Sequence, residues 1–313
     1  MKKIVIRIVL VFCFITLSVF NIVDIENLRT FIISTERVYK IRMKQHLFCL
    51  MMAYPEHAVD LEHSKNGHVY LIMKSGARIL YDDKRAKSQE EIISNPDLQD
   101  MMEPIYPLGA IDRLMDMDFD PGRSRVYALL NEVYGGSSQQ VKSNLDNVKT
   151  YYGYLQFNKN NNASASLKSV MDELIPLAQS RHDIRACLIP YGGTFNHRYI
   201  AGTNRLSPHA FGIAIDLARD KRDYWQWASR DEGQKRLESY PREIVEIFEK
   251  NNFIWGGKWG HFDILHFEYR PEIIMMASYF GDKNNTEALW YEGAPMDNAL
   301  AMKYIKRINE VIR

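Results

Sequence analysis

The feature that most constrains the fold is an apolar stretch that carries an isolated histidine and an isolated acid. Residues 205–220 read RLSPHAFGIAIDLARD. Ile213 and Ile215 alternate with their neighbours, which is the period of a β-strand, and the proline and glycine just before them oppose a helix. Asp216 therefore projects from the face opposite the isoleucines, and His209 lies on the loop that leads into the strand. A carboxylate in this setting is costly unless it is paired or binds a metal.

A second stretch complements the first. Residues 255–272 read WGGKWGHFDILHFEYRPE, with Asp263 three residues before His266. The alternation in HFEYR predicts a strand on which His266 and Glu268 share one face.

Together these segments indicate a metal site. His209, Asp216 and His266 offer two imidazoles and one carboxylate, a set typical of catalytic zinc with an open position for water. Asp263 would then accept and return the proton of that water. A single histidine in a strand is more often a hydrogen-bonded core residue, and a single aspartate near a turn is usually a cap, so the hypothesis depends on the combination.

At these residues the chain resembles the LAS-type zinc peptidases, the family of D-alanyl-D-alanine carboxypeptidases and L-alanyl-D-glutamate endopeptidases. The resemblance extends over residues 167–279, and an Asp as the acid resembles the endopeptidase branch. The family motif S-x-H-x-x-G-x-A-x-D is matched by Ser207, His209, Gly212, Ala214 and Asp216, and its second motif by Asp263, His266, Phe267 and Glu268.

The resemblance implies roles for individual residues. It implies Zn²⁺ as cofactor, held by His209, Asp216 and His266, with Asp263 as general base and acid. Family members also carry an arginine that polarises the scissile carbonyl or binds a substrate carboxylate, and here the candidate is Arg198.

Five further residues are candidates for supporting roles. The family's usual sequence setting is absent around Arg198, so Arg205 is the alternative. Ser207 is expected to hydrogen-bond the substrate or to support the site, and His261 to lie on the oxyanion side or to support a ligand. Arg123 and Arg125 either bind an anionic substrate or form ion pairs at a helix start.

The chain as a whole predicts an α+β fold, in which a small antiparallel sheet flanked by helices holds the zinc site. Residues 68–83 predict a hairpin, residues 148–158 one strand, and Asp120 with its following proline the start of a helix that ends at Gly135. The predicted domains are a signal sequence or membrane anchor at 1–23, an accessory region of unknown role at 24–115, a zinc peptidase domain at 116–282 and a closing helix at 283–313.

The N-terminal residues predict export. Lys2, Lys3 and Arg7 precede an apolar run over 8–23, which is intermediate between a signal h-region and a full span. An uncleaved anchor is favoured over a cleaved signal, because no cleavage site is evident. Both place the remaining chain outside the cytoplasm, anchored to the membrane or secreted to the cell wall.

Charge and cysteine content exclude other classes. The net charge is +1 and no dense basic stripe occurs, so nucleic acid is not an expected partner. Three cysteines are too few for a disulfide framework, and Cys49 and Cys187 either form one bridge or are free thiols.

The resulting hypothesis is a zinc peptidase that hydrolyses peptide bonds in peptidoglycan stem peptides, of the carboxypeptidase or the endopeptidase type. One alternative is a module that binds zinc but only binds the cell wall or signals. Another is a structural membrane protein in which the motif match is accidental. The sequence leaves the oligomeric state open.

Overall fold

A computed structural model describes residues 35–281 and 289–313 of the chain. The chain divides into two compact units, residues 1–43 and 44–313. In the first unit the described residues, 35–43, are helical. The predicted signal sequence or anchor at 1–23 lies outside the described residues. Among the described residues, no helix combines the length and the apolar character that crossing a bilayer requires.

Strands of the second unit form three small antiparallel sheets within the described residues, each built from short strands. With the helices, they confirm a mixed α+β architecture. The sheets are β1 (Ala58–His63), β2 (Val69–Met73) and β3 (Arg78–Leu80) in the order β1-β2-β3, then β4 (Leu145–Lys149) with β5 (Tyr154–Asn158), then β6 (Ala214–Asp216), β7 (Phe253–Trp255) and β8 (His266–Tyr269) in the order β6-β8-β7.

Helices of the second unit surround these sheets. In chain order they are α1 (residues 44–53), α2 (Gln89–Ser94), α3 (Leu98–Met102), α4 (Tyr127–Tyr134), α5 (Ser138–Ser143), α6 (Ala163–Ser180), α7 (His182–Leu188), α8 (Arg230–Glu238), α9 (Arg242–Lys250), α10 (Pro271–Phe280) and α11 (Ala299–Val311).

The predicted hairpin at 68–83 is confirmed as β2 and β3, but the single strand predicted at 148–158 is wrong. Thr150 and Gly153 close a turn there, with the Thr150 N–H donating to the Gly153 carbonyl at 3.0 Å. Gly153 has φ +74°, a conformation that glycine adopts readily. The stretch therefore folds back on itself as the end of β4 and the whole of β5.

The helix predicted to start at Asp120 begins instead at Tyr127, although it does end at Gly135. Asp120 does not cap it, because its carboxylate accepts from His261 Nδ1 at 2.7 Å and from Arg123 at 2.8 Å. Asp120 therefore holds His261, which is distant in the sequence, and does not cap a helix.

The sheet β6-β8-β7 carries the site. Its inner side packs on α9, where the rings of Phe248 and Phe267 stack with centroids 3.9 Å apart. Both phenylalanines are fully buried. This apolar contact anchors β8 and so fixes the position of His266 at the strand's first residue.

Residues before 116 pack against the predicted peptidase domain. Tyr54 donates to Glu272 at 2.6 Å and Tyr106 donates to Glu249 at 2.6 Å, and all four side chains are buried. Residues 44–313 therefore form one compact unit, while the division at 115 and at 282 stays a prediction.

The two described cysteines are free. Cys49 and Cys187 are both buried thiols with no disulfide between them. Of the two alternatives for this pair, the structure shows the unpaired one.

Candidate metal centre

A single 3₁₀ turn positions His209. The turn spans Pro208–Phe211 and is capped by Ser207, whose Oγ accepts from the His209 N–H at 3.4 Å. It ends at Gly212, which has φ +67°. A Cβ there would lie 2.8 Å from a methyl of Leu145, so both the conformation and the space favour glycine. The motif residues around His209 thus serve to shape its turn.

Strand pairing brings the other two candidate ligands together. In the β6–β8 register, Asp216 lies opposite His266. Directly paired residues project to the same face, so the carboxylate meets the imidazole across the ladder.

The two imidazoles converge on one carboxylate oxygen of Asp216. Asp216 Oδ1 lies 3.2 Å from His209 Nε2 and 2.8 Å from His266 Nδ1. Ligands bound at 2.0–2.2 Å in a tetrahedral site are about 3.4 Å apart. Both histidines are buried, and Asp216 is partly exposed to a cavity of about 420 Å³.

The hydrogen-bond chemistry of this cluster fits a cation. His209 Nδ1 lies 2.6 Å from the Thr194 carbonyl, which can only accept, so Nδ1 carries the hydrogen. In the neutral ring, Nε2 then directs a lone pair at Asp216 Oδ1. Two acceptors facing each other repel unless a proton or a metal ion lies between them. A carbonyl that orients a ligand histidine through its second nitrogen is typical of zinc sites.

The pKa shifts reflect this crowding of charge. Burial tends to raise the pKa of Asp216, but the positive charge of His209 and the contacts with both imidazoles hold it well below its usual range. Burial tends to lower the pKa of His266, but Asp216 and Glu268 raise it to about 10. The cluster therefore favours a bound positive charge.

Asp263 lines the same cavity as the three candidate ligands. Its backbone is held by Gly256, whose carbonyl accepts from the Asp263 N–H at 2.9 Å. A Cβ on Gly256 would lie 2.5 Å from the Asp263 carbonyl, so a side chain there would displace this segment. Burial, with repulsion from Asp216 and Asp223, raises the pKa of Asp263 to about 7 despite attraction to His266. A carboxyl with such a pKa can exchange a proton at neutral pH.

A buried ion pair between Glu268 and Arg125 lies next to His266. Glu268 is fully buried and accepts from Arg125 at 2.6 Å, while its Oε2 lies 3.8 Å from His266 Nε2. Burial tends to raise the pKa of Glu268, but Arg125 and the neighbouring donors lower it well below the usual range. Arg125 thus forms an ion pair, the second of the alternatives for this arginine.

The structure brings Arg198 and Ser207 to the cavity in different ways. Both line it, but Arg198 is exposed and, within the described residues, has no ion-pair partner, whereas Ser207 is buried and caps the turn. The two backbones are joined by a hydrogen bond from Ser207 N to Arg198 O at 3.0 Å. The proposed substrate contacts of both residues stay predictions.

His261 also lines this cavity and is oriented by Asp120. Both His261 Nδ1 and its backbone N–H contact that carboxylate, at 2.7 and 3.0 Å. Its ring also meets Trp225 edge to face, with centroids 4.7 Å apart. The orienting Asp120 was expected only as a helix cap.

Sequence reasoning missed the partners of the site residues. The Thr194 carbonyl has no sequence signal, because every residue has one. The role of Asp120 has a weak signal, since an acid within DPGRSR lies close to two arginines in the chain.

Comparison with known proteins then tests the resemblance. A family model described as D-alanyl-D-alanine carboxypeptidase matches residues 201–269. This range contains His209, Asp216, Asp263 and His266. The predicted resemblance to LAS-type peptidases is confirmed.

One curated relative of this type is the peptidoglycan L-alanyl-D-glutamate endopeptidase CwlK of Bacillus subtilis (strain 168), with 39% identity over 67 residues. The alignment covers 21% of this chain and 40% of the relative, so the chain spans about two fifths of the length of the curated relative it matches. No solved structure matches the chain significantly.

Proposed function

We propose that this protein is a zinc-dependent peptidase that hydrolyses peptide bonds in peptidoglycan stem peptides. The observation that carries the proposal is the convergence of His209 and His266 on one oxygen of Asp216, with Asp263 in the same cavity. Peptidoglycan as the substrate is supported by the similarity to a relative whose name describes that activity.

In this proposal His209, Asp216 and His266 hold Zn²⁺. When bound, zinc polarises the scissile carbonyl and lowers the pKa of a coordinated water to about 7. Asp263, whose pKa is also raised to about 7, takes the proton of the attacking water and passes it to the leaving amine. Arg198 binds a substrate carboxylate or the scissile carbonyl through its planar, permanently charged fork.

Localisation outside the cytoplasm is part of the same proposal. It is supported by the basic start and the apolar run of residues 8–23. The substrate is a cell-wall polymer, so an exported enzyme would meet it directly.

Mass spectrometry of purified muropeptides after incubation with the zinc-loaded protein tests this function. Loss of a terminal D-alanine would identify a carboxypeptidase, and cleavage between L-alanine and D-glutamate an endopeptidase. A chelator should stop the hydrolysis, and added zinc should restore it. A protein that retains zinc but releases no amine would instead be a non-catalytic module that binds the wall or signals.

A further inference from the structure

A second and larger cavity adjoins the metal centre. Its volume is about 960 Å³, compared with about 420 Å³ for the cavity at the candidate ligands. The two cavities share Arg123, Arg205 and His261 as lining residues. Small-molecule sites occupy about 300–1,000 Å³, so the larger cavity has room for a whole ring-shaped ligand joined to a peptide at the metal centre.

Two segments that are distant in the sequence form walls of this cavity. One is α2 of the predicted accessory region, which contributes Ile93. The other is a loop of the predicted peptidase domain, which contributes Tyr199 and Asn204. A hydrogen bond from Arg205 Nη1 to the Ile93 carbonyl, at 2.8 Å, joins the two walls. The walls are therefore held at a fixed spacing before any ligand binds, which lowers the entropic cost of binding.

Three carboxamide side chains line the larger cavity and are free to bind a ligand. They belong to Gln89, Asn131 and Asn204, and all three residues are exposed. None of these amides forms a hydrogen bond with another described residue. A carboxamide offers two donors and one acceptor oxygen. Such groups can bind the hydroxyl and acetamido groups of a sugar.

An exposed tyrosine adds an apolar face to the same cavity. Tyr199 is 61% exposed, and its side chain has no hydrogen bond or ring contact with the described residues. Its backbone is fixed by pairing with Leu206. An aromatic ring buries a large area at a low cost in conformational entropy when a ligand stacks on it. The C–H face of a pyranose ring is a suitable ligand for this surface.

The charges around the larger cavity favour an uncharged ligand. Asp120 is already paired with Arg123 at 2.8 Å. The other carboxylate and guanidinium groups that line the cavity are those of Glu90, Asp118 and Arg205. Both of these acids are exposed, where water screens their charges. The cavity therefore has no excess of positive charge that would select an anion.

In peptidoglycan, an N-acetylated amino sugar, N-acetylmuramic acid, is bonded through its lactyl carboxyl group to the L-alanine of the stem peptide, and this amide bond removes the charge of that carboxyl. We propose that the larger cavity is a subsite for this sugar, in which Tyr199 stacks on the ring and the three carboxamides bind its polar groups. The inference rests on the proposed function and deepens it. A sugar beside the metal centre places the L-alanyl-D-glutamate bond there, because the D-alanyl-D-alanine bond lies at the far end of the stem peptide.

Calorimetry on the zinc-loaded Asp263→Asn protein tests the subsite, since binding is then measured without turnover. The probes are N-acetylmuramoyl-L-alanyl-D-glutamate and N-acetyl-L-alanyl-D-glutamate, which have the same peptide and the same charge. The muramoyl peptide should bind about tenfold more tightly, because stacking and hydrogen bonds with the sugar are added. Tyr199→Ala combined with Asn204→Ala should reduce this ratio of dissociation constants to about two or less.

Two further variants separate recognition from folding. Tyr199→Phe should keep most of the preference for the muramoyl peptide, because it retains the ring that stacks on the sugar. Tyr152→Ala is the matched control, since Tyr152 is 72% exposed and lines neither cavity, and it should keep the full ratio.

Equal affinity for the two probes, no binding of either probe, or a full ratio in the Tyr199→Ala, Asn204→Ala variant would overturn the inference. Hydrolysis by the protein with Asp263 intact distinguishes this failure from that of the proposed function. Equal rates of cleavage of stem peptides with and without the sugar would contradict the subsite and leave the peptidase standing. Sugar-dependent binding without any hydrolysis would contradict the peptidase and leave the subsite standing.

Discussion

Two clusters in the described part of the chain have the residue types of a metal site, and they differ in how their charge is balanced. One comprises His209, Asp216 and His266, and the other Asp82, Asp83 and Asp97. In both, one ligand atom from each residue lies within 4.8 Å of the others. Proximity of ligand atoms therefore does not distinguish them.

The acidic cluster is neutralised by a buried lysine. Lys87 Nζ lies 2.8 Å from Asp97, 3.2 Å from Asp83 and 2.6 Å from Asp100, and its side chain is only 3% exposed. Burial tends to lower the pKa of Lys87, but these carboxylates raise it above its usual range. The acidic cluster thus carries its own cation.

At the histidine cluster, by contrast, no Lys or Arg among the described residues forms an ion pair with Asp216. Its carboxylate faces imidazole nitrogens instead. A metal is therefore expected where ligand atoms converge on imidazoles and a carboxylate, and not where a lysine already neutralises the carboxylates.

The largest expected effect comes from removing a candidate ligand. His209→Ala should lower the zinc content from about one per chain to near zero and abolish hydrolysis, because two ligands hold zinc poorly. Elemental analysis after dialysis measures this. The matched substitution in the other cluster, Asp82→Asn, should leave the zinc content at one, and a reversed pattern would contradict the comparison.

Next in size is the effect of Asp263→Asn. The variant should retain zinc, because this side chain is not in the ligand cluster, and lose about 10²- to 10⁴-fold in turnover, the contribution typical of a general acid and base. Steady-state rates on a defined stem peptide, with metal content measured in parallel, test it. Equal rates for the variant and its parent would exclude the role.

Lys87→Gln should destabilise the fold without changing metal content. Removing one partner of a buried ion pair leaves the others uncompensated, so the free energy of unfolding should fall by about 3 kcal/mol. Urea denaturation gives the value. Lys168→Gln, which removes an exposed pair with Asp172, should lower the free energy of unfolding by less than about 1 kcal/mol. Similar decreases in the two variants would show that the buried ion pairs of Lys87 do not stabilise the fold more than an exposed pair does.

The smallest effect is a pH dependence of the metal-free protein. The pKa of Asp263 is about 7 in the folded state and about 4 unfolded, so the folded state binds more protons between these values and stability falls as pH rises through them. The free energy of unfolding should fall by on the order of 1 kcal/mol, because the Asp263 side chain is partly exposed and water weakens its interactions. In chelator, urea denaturation from pH 4 to 8 should show a smaller fall for Asp263→Asn. Parallel curves would mean that Asp263 titrates normally.

Local patterns predicted much of this molecule and misjudged specific parts of it. The alternation in residues 213–216 and 266–269 predicted β6 and β8, because a two-residue period is a property of the chain itself. The continuous strand predicted at 148–158 was wrong. The residue types of this stretch suit one long strand and two strands joined by a turn at Gly153 equally well, so the composition does not reveal the turn. Asp120 was predicted as a cap because its true partner, His261, is 141 residues away.

By itself, the sequence determined which residue types are available for a metal and an acid, and that they lie on strands and a turn. Only the tertiary structure decided which atoms meet. Asp216 and His266 are 50 residues apart in the sequence and are aligned by the backbone pairing of β6 with β8. Backbone N–H and C=O groups are the same at every residue, so their hydrogen bonds do not by themselves select this register. Packing of the apolar faces selects one register, and the same folding brought Lys87 to one cluster and, among the described residues, no lysine or arginine into an ion pair with Asp216 in the other.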